Sequence, residues 1–134
     1  MGRILCAFVV VFVCGCGSSQ SEAIRRGVGA ECNANLTCSE SGQVCLTEFK
    51  GGYCGVSECQ HDTNCPQGSA CVTDDGQTKY CFLICADKPE CNVNRTLDNE
   101  SSCTSSLTFI DGTMSRKVCR PPLSGTATVD ASTD

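Results

Sequence analysis

Fifteen cysteines and a single histidine are the residues of this 134-residue chain that could carry nucleophilic, redox or metal chemistry. His61 has Asp62 beside it and Cys59 and Cys65 nearby, the residue types of a Cys–His nucleophile pair. That pair needs a free thiolate. The cysteines beyond the N-terminal segment are Cys32, Cys38, Cys45, Cys54, Cys59, Cys65, Cys71, Cys81, Cys85, Cys91, Cys103 and Cys119. Twelve is an even set, and full pairing leaves no thiolate, so His61 reads as a solvated loop residue. Zinc sites favour C-x₂₋₄-C spacing, whereas each cysteine group here opens with C-x₅-C, and shorter gaps occur only between groups. Asp62, Asp74, Asp75 and Asp87 lack the D-x-D-x-D-G order of a calcium loop, and the C-x-x-C of thiol oxidoreductases is missing. No paired carboxylates and no Ser/His/Asp set are discernible. The expectation is a protein that is not an enzyme, without cofactor and without metal.

The elements that hold these cysteines must be stapled. Cysteine exceeds the roughly 8–10% that marks a disulfide scaffold in a short secreted chain, and such density belongs to an oxidising compartment. With no Trp, five Phe and two Tyr, the apolar anchors are sparse: Leu36, Val44, Leu46, Phe49, Tyr53, Val72, Tyr80, Phe82, Leu83, Ile84, Leu107, Phe109, Ile110 and Val118. A small core seldom supplies more than roughly 3–5 kcal/mol. The net charge of −5, with no basic stripe, excludes nucleic acid as a partner.

Met1-Gly-Arg3 is a basic start, followed by the apolar run from Ile4 to Val13. That run is too short to span a bilayer and predicts a signal peptide. Val13-Cys14-Gly15-Cys16 resembles the bacterial lipobox, with Val in place of the preferred Leu and an unusual Cys at −2. The resemblance implies that residues 1–16 are the signal segment and that Cys16 becomes the acylated N-terminus. The alternative is ordinary cleavage near Gly17 to Gln20. Both leave the same twelve cysteines. Residues 17–30 read as a tether and residues 121–134 as a disordered tail.

The segment 31–120 is expected to be the folded part. Its cysteines form three tandem units, 32–54, 59–81 and 85–119. Units one and two align further: Gly42 precedes Cys45 as Gly68 precedes Cys71, and Tyr53 and Tyr80 each precede the fourth cysteine. Turn signals lie between the third and fourth cysteines at Lys50-Gly51-Gly52, Asp74-Asp75-Gly76 and Asp111-Gly112. They are flanked by strand-like stretches at 44–49, 70–73, 78–84, 107–110 and 114–119. The predicted fold class is therefore small and disulfide-rich: three four-cysteine units, short β-hairpins, irregular loops and little helix, with residues 89–100 the best place for any. A lone hairpin is marginal in water, and a disulfide closing about 15 residues adds roughly 3 kcal/mol. Spacing does not fix the pairing, since four cysteines allow three connectivities. The expectation adopted is first-to-third and second-to-fourth in each unit.

The run from Cys54 through Cys59, Cys65-Pro66 and Gly68 to Cys71 resembles the cysteine-rich repeat lipoproteins of myxobacteria and related deltaproteobacteria. The likeness spans about residues 31–91, and unit three departs from it between Cys91 and Cys103. It implies location and architecture, with no catalytic residues to carry over. A weaker likeness, around Cys59 to Cys71, is to whey-acidic-protein and Dickkopf-like modules, although the adjacent Cys-Cys pair of the former is missing. Asn35, Asn94 and Asn99 begin N-glycosylation sequons. The functional expectation is an exported lipoprotein, lipid-anchored in the bacterial cell envelope, whose partners are the membrane and an unidentified protein or glycan. The alternative is a secreted disulfide-rich effector or inhibitor.

Overall fold

The computed structural model describes residues 27–112 and 115–125. The leader 1–16 with Cys16, the tether as far as Arg26 and the tail from Thr126 onward lie outside the described residues.

One local rule builds all three units. The third and fourth cysteines of a unit sit opposite each other on an antiparallel strand pair. In unit one these strands are β1 (Val44–Cys45) and β2 (Cys54–Gly55), with Cys45 facing Cys54. In unit two they are β3 (Ser69–Thr73) and β4 (Lys79–Leu83), with Cys71 facing Cys81. In unit three Cys103 on β5 (Ser102–Thr104) faces Cys119 on β7 (Val118–Arg120). The first and second cysteines arrive from the leading loops and bond crosswise to this pair. The bonds are Cys32–Cys45, Cys38–Cys54, Cys59–Cys71, Cys65–Cys81, Cys85–Cys103 and Cys91–Cys119, with Cα–Cα distances of 5.2 to 6.0 Å. This is the first-to-third, second-to-fourth pattern in every unit.

The strands are shorter than composition suggests in unit one and rearranged in unit three. Among the described residues, 107–110 and 115–119 do not pair with each other across Asp111-Gly112. Instead β6 (Thr108–Phe109) leaves its own unit and pairs with β3, placing Val72 opposite Phe109 and Thr73 opposite Thr108. The middle sheet therefore has the order β4-β3-β6 and joins unit three to unit two. The partner of β7 is β5, a polar stretch whose pairing is set by Cys103. The predicted helical region shrinks to one turn, α1 (Lys88–Cys91), and a 3₁₀ turn at Leu97–Asn99. Asp87 caps α1 by accepting a hydrogen bond from Glu90 N at 3.4 Å, and Pro89 occupies its first turn. The turn delivers Cys91, buried, to Cys119.

The core is small and shared. Tyr53, Val72, Phe82, Val118 and Pro121 are among the most deeply buried side chains. Phe49, Tyr53, Tyr80 and Phe82 form one aromatic cluster with ring centroids 5.1 to 6.0 Å apart. Such contacts contribute beyond area burial. Tyr53 is wholly enclosed, and its hydroxyl accepts a hydrogen bond from Leu83 N at 3.2 Å. Burial accordingly pushes its phenol well above its ordinary pKa, outweighing the Leu83 hydrogen bond and Arg95. Three expected anchors, Leu36, Val44 and Ile84, are exposed instead.

The folded part also extends past the expected boundaries. Val28 is buried, and Gly29 N donates to Cys54 O at 2.9 Å. At the other end Lys50 N donates to Pro122 O at 2.8 Å, Ser124 N donates to Glu48 O at 2.8 Å, and Leu123 bridges to Phe49. Residues 27–30 and 121–125 thus belong to the fold and not to a tether or tail.

Candidate functional site

The twelve cysteines named from the sequence are brought together in pairs of disulfides. Three sulfurs of each unit lie within 4.8 Å of one another: Cys32, Cys38 and Cys54; Cys59, Cys65 and Cys81; Cys85, Cys91 and Cys103. Metal ligation and nucleophilic attack both require thiolate. Every sulfur in these clusters is engaged in an S–S bond, so in this form they are cross-links.

Arg95 joins unit three to unit one. Its Nε donates to Asn99 O at 2.6 Å, Nη1 donates to Gly29 O and Gly52 O at 3.0 Å each, and Nη2 donates to Lys50 O at 2.8 Å. The guanidinium also lies 5.9 Å from the centre of the Tyr53 ring. Burial pulls its pKa down, against the charge of Glu31 and the field of Tyr53. Glu31 accepts from Thr96 N at 2.6 Å and from Thr96 Oγ1 at 2.7 Å. Burial pushes the Glu31 carboxyl up, but these bonds and Arg95 together hold it below its usual range. The turn that Arg95 grips needs glycine: Gly52 has φ +69°, and a Cβ there would lie 2.1 Å from Cys32 O.

A second polar junction ties the leading loop of unit two to unit three. His61 Nδ1 lies 3.0 Å from Asp111 Oδ1, and Asp62 N donates to Asp111 Oδ2 at 2.7 Å. Arg116 Nη1 donates to Asp62 Oδ2 at 2.6 Å, and Asp62 Oδ1 accepts from Cys71 N at 2.9 Å. The Arg116 guanidinium covers the Phe109 ring at 4.7 Å. The Asp62 backbone bond and then His61 hold the Asp111 carboxyl below its usual range. His61 is exposed and has a carboxylate, not a thiol, as its partner. Asp62 serves in this junction, and Asp74 forms an ion pair with Arg120. Asp75 orders the unit-two turn through bonds from Gln77 N and Thr78 N. Asp87 caps α1. Asp62, Asp74, Asp75 and Asp87 thus occupy four separate structural roles.

Sequence reasoning missed Arg95, Arg116 and Asp111. Most of their partners lie 43 to 66 positions away in the chain. No local spacing signals such contacts. Several hollows mark the surface formed by the described residues. One is a broad groove of about 580 Å³ between the unit-one loop and the unit-three insertion, lined by Leu36, Cys38, Val93 and Asn94 among others. Another, about 120 Å³, lies beside the aromatic cluster and is rimmed by Asp74, Asp75, Arg120 and Leu123. No family model, no curated protein and no solved structure matches the chain.

Proposed function

We propose that this chain is a non-enzymatic module, tethered to the bacterial cell envelope by acyl chains on Cys16, that displays a covalently stapled surface to a protein or glycan partner. Six disulfides belong to an oxidising, extracytoplasmic compartment. Among the described residues no helix is long and apolar enough to cross a membrane. The observation that carries the reading is cross-linked surface without free sulfur chemistry. All twelve cysteines of the folded part are consumed in staples, and the polar side chains at the unit junctions are engaged in holding units together. What such a scaffold offers a partner is shape held at low entropic cost, which favours binding by preorganised groups. Acyl chains at roughly 0.8 kcal/mol per buried CH₂ would supply the anchor.

Intact mass of the native protein, before and after reduction and alkylation, tests this directly. A chain beginning at a diacylated Cys16, with twelve thiols appearing only after reduction, is the expected result. A delipidated start near Ser18 to Ser21 would replace envelope display with release as a soluble effector.

A further inference from the structure

We propose that the groove between the unit-one loop and the unit-three insertion is the seat of the chain's own residues 23–26, the last four before the described fold begins. The docking itself needs no lipid, and only its consequence for the envelope rests on the Cys16 reading.

The groove is open, and an aliphatic side chain stands on each side of it. It encloses about 580 Å³, room for a short peptide segment rather than one side chain. Leu36 enters its lining from unit one and Val93 from unit three, each 55% exposed. The Cys38–Cys54 disulfide adds to that lining. These are apolar groups left in water, and covering them is favourable.

The chain enters the fold through this groove. Gly27 belongs to the lining, and a Cβ built on it would lie 3.9 Å from Ser39 Oγ, another lining residue. Gly27 is held there. Its carbonyl accepts from Ala30 N at 3.0 Å, Gly29 N donates to Cys54 O at 2.9 Å, and Val28 between them is buried in the core. Residue 26 therefore starts at the lip of the groove, and Ile24 is attached no more than about 11 Å from Gly27 at full extension. In residues 17–26, GSSQSEAIRR, Ile24 is the one large apolar side chain.

A segment joined to the groove by so short a link meets it at an effective concentration in the millimolar range. A separate peptide of the same chemistry lacks that advantage. Charge plays the lesser part. Glu31 is the one carboxylate of the lining, and Arg95 already answers it in part. Arg25 and Arg26 thus add little, and contact of Ile24 with Leu36 and Val93 drives the docking.

Docking shortens the tether. Ten residues separate Cys16 from Gly27, a reach of about 35 Å when extended. With residues 23–26 seated, the six that remain span about 20 Å. The groove face is then held towards the anchor, and the rest of the surface is what a partner meets.

The test is trypsin digestion of the mature native protein, timed by mass from the loss of the residues before Gly27. Cleavage after Arg25 or Arg26 needs an undocked segment, so its rate follows the undocked fraction. Leu36→Ser/Val93→Ser leaves the cleaved sequence untouched and should be cut about tenfold faster than wild type. Equal rates overturn the proposal. So does wild-type protection that grows with protein concentration, which would put a second copy in the groove. If the double variant does not form six disulfides, Ile24→Ser replaces it. The Leu36 and Val93 methyl resonances should then shift from their wild-type positions, and unchanged positions overturn the proposal. Protection in a chain shown by mass to lack lipid leaves the docking standing and removes the envelope anchor. A lipidated chain whose double variant is cut no faster does the reverse.

Discussion

Replacing Arg95 with leucine should undock unit three from unit one while leaving all six disulfides in place. The guanidinium satisfies four carbonyls, those of Gly29, Lys50, Gly52 and Asn99. In Arg95→Leu the carbonyls of Lys50 and Asn99 sit on half-exposed residues and can turn to water, whereas Gly29 and Gly52 are buried. An orphaned buried acceptor costs about 1–3 kcal/mol. Two such groups, offset in part by no longer burying a charge, put the loss at about 3 kcal/mol. With a guanidinium chloride slope of about 2 kcal/mol per molar, the unfolding midpoint should fall by about 1.5 M. Arg95→Lys keeps the charge without the planar fork of donors, and should lose about half as much. The assay is equilibrium unfolding with disulfides intact, alongside amide exchange at Cys54, whose N–H bonds to Ala30 O next to the Arg95 site. A midpoint shift in Arg95→Leu below about 0.3 M, or exchange unchanged at Cys54, would refute the claim that this residue holds the two units together.

Four further outcomes are expected. Tyr53→Phe removes the acceptor of a buried Leu83 N–H and should cost about 1–2 kcal/mol in the same unfolding assay. Gly52→Ala drives a methyl to within 2.1 Å of Cys32 O and should sharply reduce the yield of six-disulfide protein read by mass. Gly76→Ala, at φ +75° with nothing within 4 Å, should cost only about 1–2 kcal/mol. Finally, Asp111 has a folded-state pKa below its unfolded value, so its contribution is present above the unfolded pKa and is lost as pH falls through the folded one. Thermal midpoints measured from pH 5 down to pH 2 should therefore fall less steeply in Asp111→Asn than in wild type.

The parts of the fold legible in the sequence are those governed by contacts close in the chain. Cysteine groups with a glycine turn between the third and fourth members signal a stapled strand pair, and all three units contain one. Asp75-Gly76 behaves as turn chemistry predicts. The parts that were not legible depend on distant partners. Thr108 and Phe109 look like half of a local hairpin, yet β3 offers Phe109 a place against Val72 and a face for Arg116, and that packing overrides the Asp111-Gly112 turn. Ser102 to Thr104 has little strand propensity and becomes β5 because Cys103 must face Cys119. Val28 reads as linker because its neighbours are glycine and alanine, but its single side chain reaches the shared core. Leu36 and Val44 fail as anchors for the opposite reason: the stapled leading loop and a two-residue strand leave no apolar layer to cover them. In the aromatic cluster, the alternation of Tyr80 and Phe82 along one strand was visible, but Phe49, which packs against both rings, comes from a distant segment of unit one.

The crosswise bonding within each unit also determines how the molecule comes apart under proteases. Because the first-to-third and second-to-fourth bridges interleave, one peptide-bond cleavage anywhere between the first and fourth cysteine of a unit leaves both fragments joined through sulfur. Among single cuts between Cys32 and Cys119, only those in the two spacers, Gly55 to Glu58 and Phe82 to Ile84, divide the covalent graph. Those spacers are guarded. Cys81 N bonds to Val56 O at 2.9 Å and Glu58 N to Lys79 O at 2.7 Å, while Phe82 and Leu83 are only 2% exposed. A hydrolase could thus nick one exposed loop in each unit without detaching any unit from the chain, a useful form of durability in an oxidising, extracytoplasmic compartment.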